Sequence, residues 1–383
     1  MARGSKRKTA NNKKASKKTG KKTKKAMPPR KQAGKAMSKA AAGAGPVTLD
    51  EARALAQAKQ PKLAVRAARK TAAPPASPAA VGAEREKLRQ EQRDERARRV
   101  REYKATMEIM KRRGARRPRS SKLRAADGEP EAKGGGAFVP LQIFAEGDSW
   151  FDYPVPFFGG GIVPRLENRL GVPILNLAKA GDEVRYMLGV EERGVLAEHL
   201  TNGSPAGGPW DVLLFSGGGN DIVDNPMALW VKDWNPALPP EAHIHQARFS
   251  AALTLVRAGY EDLIELRNAT SPTTHLVFQG YDFAIPDGRG ICGFGPWLRP
   301  TFDLRKFPTR TAMEAVVKAM LQQFAVMLQS LTGPSVTFIN GQGTLAPQPS
   351  SWHNELHPAR AGFDKFAALF QIKMKALFPD RVV

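Results

Sequence analysis

A serine, a carboxamide and a histidine follow one another along this chain, each where an apolar run ends or a helical pattern begins. Ser149 lies in Phe144-Ala145-Glu146-Gly147-Asp148-Ser149-Trp150, a glycine-led turn directly after an apolar run. Asn220 follows in Gly218-Gly219-Asn220-Asp221, and His357 lies near the C-terminus in Asn354-Glu355-Leu356-His357-Pro358. A serine hydroxyl is a weak nucleophile until a base takes its proton, and histidine is the commonest such base. Attack on an ester creates an oxyanion that preorganised donors must meet, which a side-chain amide can do. Together the three can open an ester; a serine in a turn could not do so alone. Pro358 suits the first turn of a helix. His357 is therefore expected on a short loop fixed by the helix behind it, whose apolar face includes Phe363, Phe366, Leu369 and Phe370.

The elements that must position these residues alternate. Leu141–Ala145, Val172–Leu177, Val212–Ser216, Leu276–Gly280 and Val336–Asn340 read as short buried strands. Val184–Leu200, His245–Asn268, Thr311–Leu331 and Arg360–Leu377 read as helices. This alternation predicts an α/β domain with a parallel sheet covered on both faces. Sites in such sheets form beyond the C-terminal ends of the strands, where the Ser149, Gly181 and Asn220 turns fall.

In these residues the chain from about 137 to 383 resembles the SGNH hydrolases, also called the GDSL esterase/lipase family. The first family block looks like Gly147-Asp148-Ser149-Trp150, with Trp150 where leucine is commoner. The second centres on Gly181 in Asn176-Leu177-Ala178-Lys179-Ala180-Gly181, the third is Gly218-Gly219-Asn220-Asp221, and the last is Asn354 to Pro358. The resemblance implies a flavodoxin-like three-layer α/β/α sandwich with a mainly parallel five-stranded sheet. It also implies Ser149 as nucleophile, His357 as base, and an oxyanion hole of the Ser149 and Gly181 backbone N–H groups with the Asn220 amide. No cofactor and no metal is implied.

One position departs from the family pattern. The residue three before the histidine is usually Asp and here is Asn354. An amide can accept a bond from the imidazole, but it supplies no charge to the imidazolium. In serine proteases the same exchange costs about 10⁴ in rate through the wrong tautomer. Asn354 is taken as the orienting residue; a backbone carbonyl or the neighbouring Glu355 are the alternatives. Asp148 and Asp221 read as turn residues that bond nearby backbone amides. Trp150, Phe151, Tyr153, Phe157 and Phe158 are equally suited to an acyl pocket or to the core. Pro286 to Pro308 is a long loop of the kind that forms lids and pocket walls. His243 and His245 have no matching carboxylate cluster, so a metal site is not expected.

The expected activity is therefore serine ester hydrolysis of the esterase, lipase or deacetylase type, through an acyl-enzyme, on a small acyl-ester substrate. An acyltransferase on the same fold would differ only in what attacks the acyl-enzyme. A reading from another class makes the chain a polyanion- or DNA-binding protein with a degenerate hydrolase domain.

Charge is what keeps that reading in view. The 383 residues carry a net +24, unevenly distributed. Residues 1–136 hold 40 of the 60 Lys and Arg and 12 of the 36 Asp and Glu, a net +28, which leaves −4 for 137–383. All six tryptophans lie beyond residue 149, so the core belongs to the second part. The single cysteine, Cys292, excludes an intramolecular disulfide. The basic arm resembles the lysine-rich tails of bacterial histone-like proteins in composition only. Its charge favours nucleic acid, anionic membrane surface or polyphosphate through counterion release. Its Lys-rich part, 1–40, has too little apolar surface to order and is expected to be disordered. Thr48-Leu49-Asp50-Glu51 has capping-box spacing, Ala72 to Ala80 reads as a linker, and Gly134-Gly135-Gly136 as a flexible join. A charged helix is expected over about 83–113, with an apolar stripe of Leu88, Val100, Tyr103, Met107 and Met110 too thin to dock firmly. The basic N-terminus has no apolar stretch behind it, so a Sec-type signal peptide is not expected, and no run long enough to span a membrane is present. These features predict a cytoplasmic protein, associated with nucleoid, membrane surface or granule through its arm.

Overall fold

Five apolar runs form five parallel strands in a computed structural model that describes residues 45–59, 78–116, 138–153, 160–291 and 293–382. The Lys-rich stretch 1–40, most of the Ala72–Ala80 linker and the Gly134–Gly136 join lie outside the described residues. In chain order the elements are α1 (Leu49–Lys59), α2 (Pro78–Arg113), β1 (Ile143–Gly147), α3 (Ile162–Leu170), β2 (Ile174–Asn176), α4 (Val184–Met187), α5 (Val190–Asn202), β3 (Val212–Ser216) and α6 (Gly219–Ile222). Then come α7 (Gln246–Thr270), β4 (His275–Gln279), α8 (Arg299–Leu304), α9 (Arg310–Gln329), β5 (Val336–Ile339) and α10 (Arg360–Leu377).

The strand order is β2-β1-β3-β4-β5, with every neighbour parallel. Every residue of β1 and β3 is buried, as expected where helices cover both faces of a sheet. α3 and α10 pack together on one side, and α4, α5 and α9 all meet α7 on the other. The chain leaves β1 outward to β2 and then returns to β3, so the order reverses between β1 and β3. That switch point opens a crevice at the carboxyl ends of the two strands. Ser149 follows β1 and Asn220 follows β3, which places both at that crevice.

The helix expected over Val184–Leu200 is two helices, α4 and α5. The break falls at Gly189, extended at φ −73° and ψ 169°, which caps α5. Glycine is the natural place for such a break, because a helix interior loses about 1 kcal/mol there relative to alanine.

The charged helix forms, as α2, and its two halves behave differently. Over 86–99 it is largely solvated and laced with pairs such as Arg98 to Glu95 and Glu102. Over 100–113 the expected weak docking does not hold: Tyr103, Met107, Ile109 and Met110 are buried. Tyr103 lies 5.5 Å from the Trp210 ring, and α1 packs along α2, adding Leu49, Ala52 and Ala56 to the same core. A thin stripe suffices when a second amphipathic helix covers its flank. The capping box opens α1: Thr48 N donates to Glu51 Oε2 at 2.9 Å and Glu51 N to Thr48 Oγ1 at 3.3 Å.

Candidate active site

The serine turn begins with a close approach. A Cβ on Gly147 would sit 2.5 Å from the carbonyl of Ser216 on the paired strand, so only glycine fits. Asp148 N donates to Ser216 O at 2.9 Å, and Asp148 Oδ1 accepts from Trp150 N at 2.9 Å. This is the turn chemistry expected of Asp148. The turn presents Ser149 Oγ 2.6 Å from His357 Nε2, although the two residues are 208 positions apart in the chain.

His357 is held by Asn354. Asn354 Oδ1 accepts from His357 Nδ1 at 2.9 Å and from the backbone N–H groups of Leu356 and His357 at 3.0 Å each. Its Nδ2 donates to the Tyr153 hydroxyl at 3.1 Å, which bonds His353 Nδ1 at 2.8 Å. Turning the amide over would set its N–H₂ against two backbone donors in a fully buried place, at about 1–3 kcal/mol for each donor left unpaired. The oxygen therefore faces the imidazole. Nδ1 keeps its proton, and the Nε2 lone pair faces Ser149. Tyr153 also stacks on the His357 ring, with centroids 4.4 Å apart, and Trp297 meets that ring edge-on at 5.9 Å. The tyrosine lies 201 residues from the asparagine, and nothing in the spacing of either announces the pair.

The Asn220 and Gly181 turns are joined. Asn220 Nδ2 donates to Asp182 O at 2.8 Å, and Asp221 Oδ2 accepts from Val184 N at 2.9 Å, so it too serves a turn. Gly181 is in the left-handed region at φ +87°, which favours glycine there. The segment leading to it is anchored to the serine turn through Lys179 N and Gly147 O at 2.8 Å. Tyr281, unmarked by the sequence pattern, bridges the two glycine turns: its hydroxyl donates to Asp148 Oδ2 and accepts from Gly219 N at 3.1 Å. Ser149, Gly219 and Asn220 line one cavity; Gly181 is not among its walls.

Glu355 has a task other than orienting His357. Its carboxylate accepts from four backbone N–H groups, those of Gly288 and Arg299 on Oε1 and of Trp297 and Leu298 on Oε2, at 2.6–3.0 Å. Arg289 adds bonds to the carbonyls of Trp352 at 3.0 Å and Pro349 at 3.0 Å. The segment expected as one long loop from Pro286 to Pro308 contains helix α8; it is thereby fastened to the histidine loop, and it lends Leu298 to the cavity. Of the aromatic residues after the nucleophile, Trp150 lines the cavity while also packing against Phe366 at 4.9 Å. Phe151 is core, against Phe370, Tyr153 supports the histidine, and Phe157 and Phe158 lie outside the described residues. His243 is stacked on Trp234 at 4.8 Å. Arg99 of α2 bonds the carbonyls of Asn176 and Ala178 at 3.1 Å and pairs with Asp152 at 3.0 Å, strapping the second block to the serine loop.

The electrostatics follow from burial. The His357 imidazole is pushed down to about 3, first by desolvation and then by the nearby His353. Asp148 is pushed up to about 6, its burial outweighing the bonds from Tyr281, Trp150 N and Ser216. Burial also raises Glu355, against its four N–H donors. At neutral pH the site therefore holds a neutral imidazole whose free lone pair faces a serine hydroxyl. That arrangement can deprotonate Ser149 as it attacks a carbonyl.

No family model and no curated protein matches the chain. Solved structures similar to it include a lipase from a goat rumen metagenome, 16% identical at a TM-score of 0.40, covering 61% of this chain and 96% of that one. An extracellular lipase from Streptomyces rimosus is 16% identical at 0.37, over 61% and 99% of the two chains. A carbohydrate esterase of family 3 from Talaromyces cellulolyticus is 12% identical at 0.37, over 63% and 99%.

Proposed function

We propose that this chain is a serine ester hydrolase working through an acyl-enzyme. The observation that carries the reading is the unbroken line of contacts from Ser149 Oγ through both nitrogens of His357 to a locked Asn354 Oδ1. Ser149 Oγ attacks the ester carbonyl carbon while His357 Nε2 takes its proton. The oxyanion is met by the Asn220 amide and the Ser149 N–H, from two residues that line the cavity, with the Gly181 N–H as the third donor that the resemblance implies. As the intermediate collapses, His357 returns the proton to the leaving alcohol and the acyl group stays on Ser149. A water then attacks, gives its proton to His357, and the acid departs with Ser149 restored. An acyltransferase would use an alcohol in place of that water, so the ratio of free acid to transferred ester separates the two.

The direct test is hydrolysis of 4-nitrophenyl acetate and butanoate by the full chain. Ser149→Ala is expected to lower kcat by about 10³-fold or more. Retention of the full rate in that variant sinks the reading. Charge supports a further, compatible proposal: residues 1–136, at net +28 against −4 for the remainder, tether the enzyme to a polyanion such as nucleic acid.

A further inference from the structure

Asn354 leaves the imidazole without a carboxylate behind it, yet the hydrogen bonds continue on the far side of the amide. Its Nδ2 donates to the Tyr153 hydroxyl at 3.1 Å, so that oxygen already accepts and has its own hydrogen to give. His353 Nδ1 lies 2.8 Å from the same oxygen. Burial, and then the nearby Arg289 guanidinium, hold the His353 imidazole below its ordinary value. At neutral pH the ring is therefore neutral, and one of its nitrogens is an acceptor. With the acceptor at Nδ1, donation runs in one direction throughout. Ser149 Oγ donates to His357 Nε2 and His357 Nδ1 to Asn354 Oδ1; Asn354 Nδ2 donates to Tyr153 Oη, and Tyr153 Oη to His353 Nδ1.

The members of this chain are fixed by other contacts. His353 N donates to His357 O at 2.8 Å, which closes the loop that carries both histidines. The Tyr153 ring stacks on His357 at 4.4 Å and meets His353 edge-on at 5.9 Å. A neutral amide answers an imidazolium only with its dipole, but hydrogen bonds in a chain polarise one another. When Ser149 passes its proton to His357, the new charge draws electron density toward Asn354 Oδ1. The amide N–H then donates more strongly to Tyr153, and Tyr153 to the His353 lone pair. Only the serine proton changes owner; the other bonds tighten.

We infer that His353 is a positioning residue that acts through Tyr153 and Asn354, its Nδ1 lone pair ending the chain and supplying part of the support a carboxylate would give His357. This rests on the hydrolase reading above and goes beyond it in placing a second histidine behind the base.

The experiment measures kcat and KM on 4-nitrophenyl acetate with the full chain. His353→Phe and His353→Leu remove the acceptor, and His353→Asn returns one where Nδ1 stood. The first two are expected to lower kcat about fivefold, near the worth of one hydrogen bond, with KM unchanged. His353→Asn is expected to stay within about twofold of the parent rate. On a Tyr153→Phe background, where the chain is already cut, adding His353→Phe is expected to cost less than about twofold more. Full kcat in either removal variant, a His353→Asn rate as low as theirs, or an undiminished cost on the Tyr153→Phe background overturns the inference. The tautomer gives a reading that needs no altered chain to fold. Imidazole nitrogen NMR of the unaltered protein is expected to find His353 protonated on Nε2 and bare on Nδ1; a proton on Nδ1 overturns the inference. If hydrolysis depends on Ser149 and ignores every His353 variant, the hydrolase reading stands and only the role of His353 falls. Absence of Ser149-dependent hydrolysis overturns both.

Discussion

Asn354 differs from a carboxylate in two separable ways, orientation and charge. Orientation is secured, because two backbone N–H groups and Tyr153 fix which end of the amide faces His357. Charge is not supplied, and burial leaves the imidazole near 3. A base held that low stays neutral through mildly acidic pH, so the acidic limb of kcat/KM is expected well below the ordinary histidine value of about 6.5. It is also a weak base, which limits proton transfer. Asn354→Asp adds a negative charge beside Nδ1 and favours the imidazolium. The expected outcome is an acidic limb moved to higher pH, with kcat at pH 8 raised roughly tenfold; a pH–rate profile checks it, and an unmoved limb contradicts it. Folding is linked in the same direction. The unfolded chain protonates this histidine near 6.5 and the folded one only near 3, so stability falls as pH drops through that window. Tyr153→Phe keeps the ring on His357 and removes the acceptor of Asn354 Nδ2. It is expected to lower kcat by roughly tenfold, the worth of one buried hydrogen bond, with KM unchanged in steady-state assays. The serine, histidine and asparagine were legible in the sequence as types at spacings. The lock on the amide was not, because its acceptor comes from the other end of the domain.

At the scale of elements, the histidine loop and the segment from Pro286 to Pro308 behave as one piece through Glu355. A glutamine there keeps one acceptor oxygen and turns an N–H₂ toward backbone donors, so about two charge-assisted bonds are lost, each worth about 1.5–3 kcal/mol. Glu355→Gln is expected to speed tryptic cleavage after Arg289 or Arg299 and to raise KM through Leu298. Unchanged proteolysis contradicts the staple. The strands were readable because burial on both faces demands continuous apolar runs, and β3 appears with its expected ends. Helix α3 was not readable. Pro164 and the charged Arg165 and Glu167 obscure its pattern, and both charges are buried beside partners, Asp364 at 2.8 Å for Arg165 and Ile174 N at 2.8 Å for Glu167. The docking of α2 was missed for a related reason: its stripe is narrow, and the helix that completes it precedes it by a separate segment.

For the whole molecule, the charge and the packing divide the N-terminal part differently. Residues 1–43 carry 16 Lys and Arg and no Asp or Glu, whereas 45–116 contributes Tyr103, Met107 and Met110 to the core. Deleting 1–43 is expected to leave Tm and ester hydrolysis unchanged while flattening the salt dependence of the DNA binding that the proposed tether predicts. Deleting 1–116 is expected to lower Tm by many degrees, since each such buried side chain is worth about 1.5–3 kcal/mol. Thermal melts and binding titrations at several salt concentrations distinguish the two. Equal melting temperatures for both truncations contradict the packing account.

The central claim is that Ser149 is the activated nucleophile of this fold. Treating the full chain with a fluorophosphonate and locating the adduct by peptide mass spectrometry tests it most directly. The account predicts one stoichiometric adduct on Ser149, absent after Ser149→Ala and greatly slowed in a His357→Ala variant. A chain that remains unlabelled, or that carries the adduct at another residue, contradicts it.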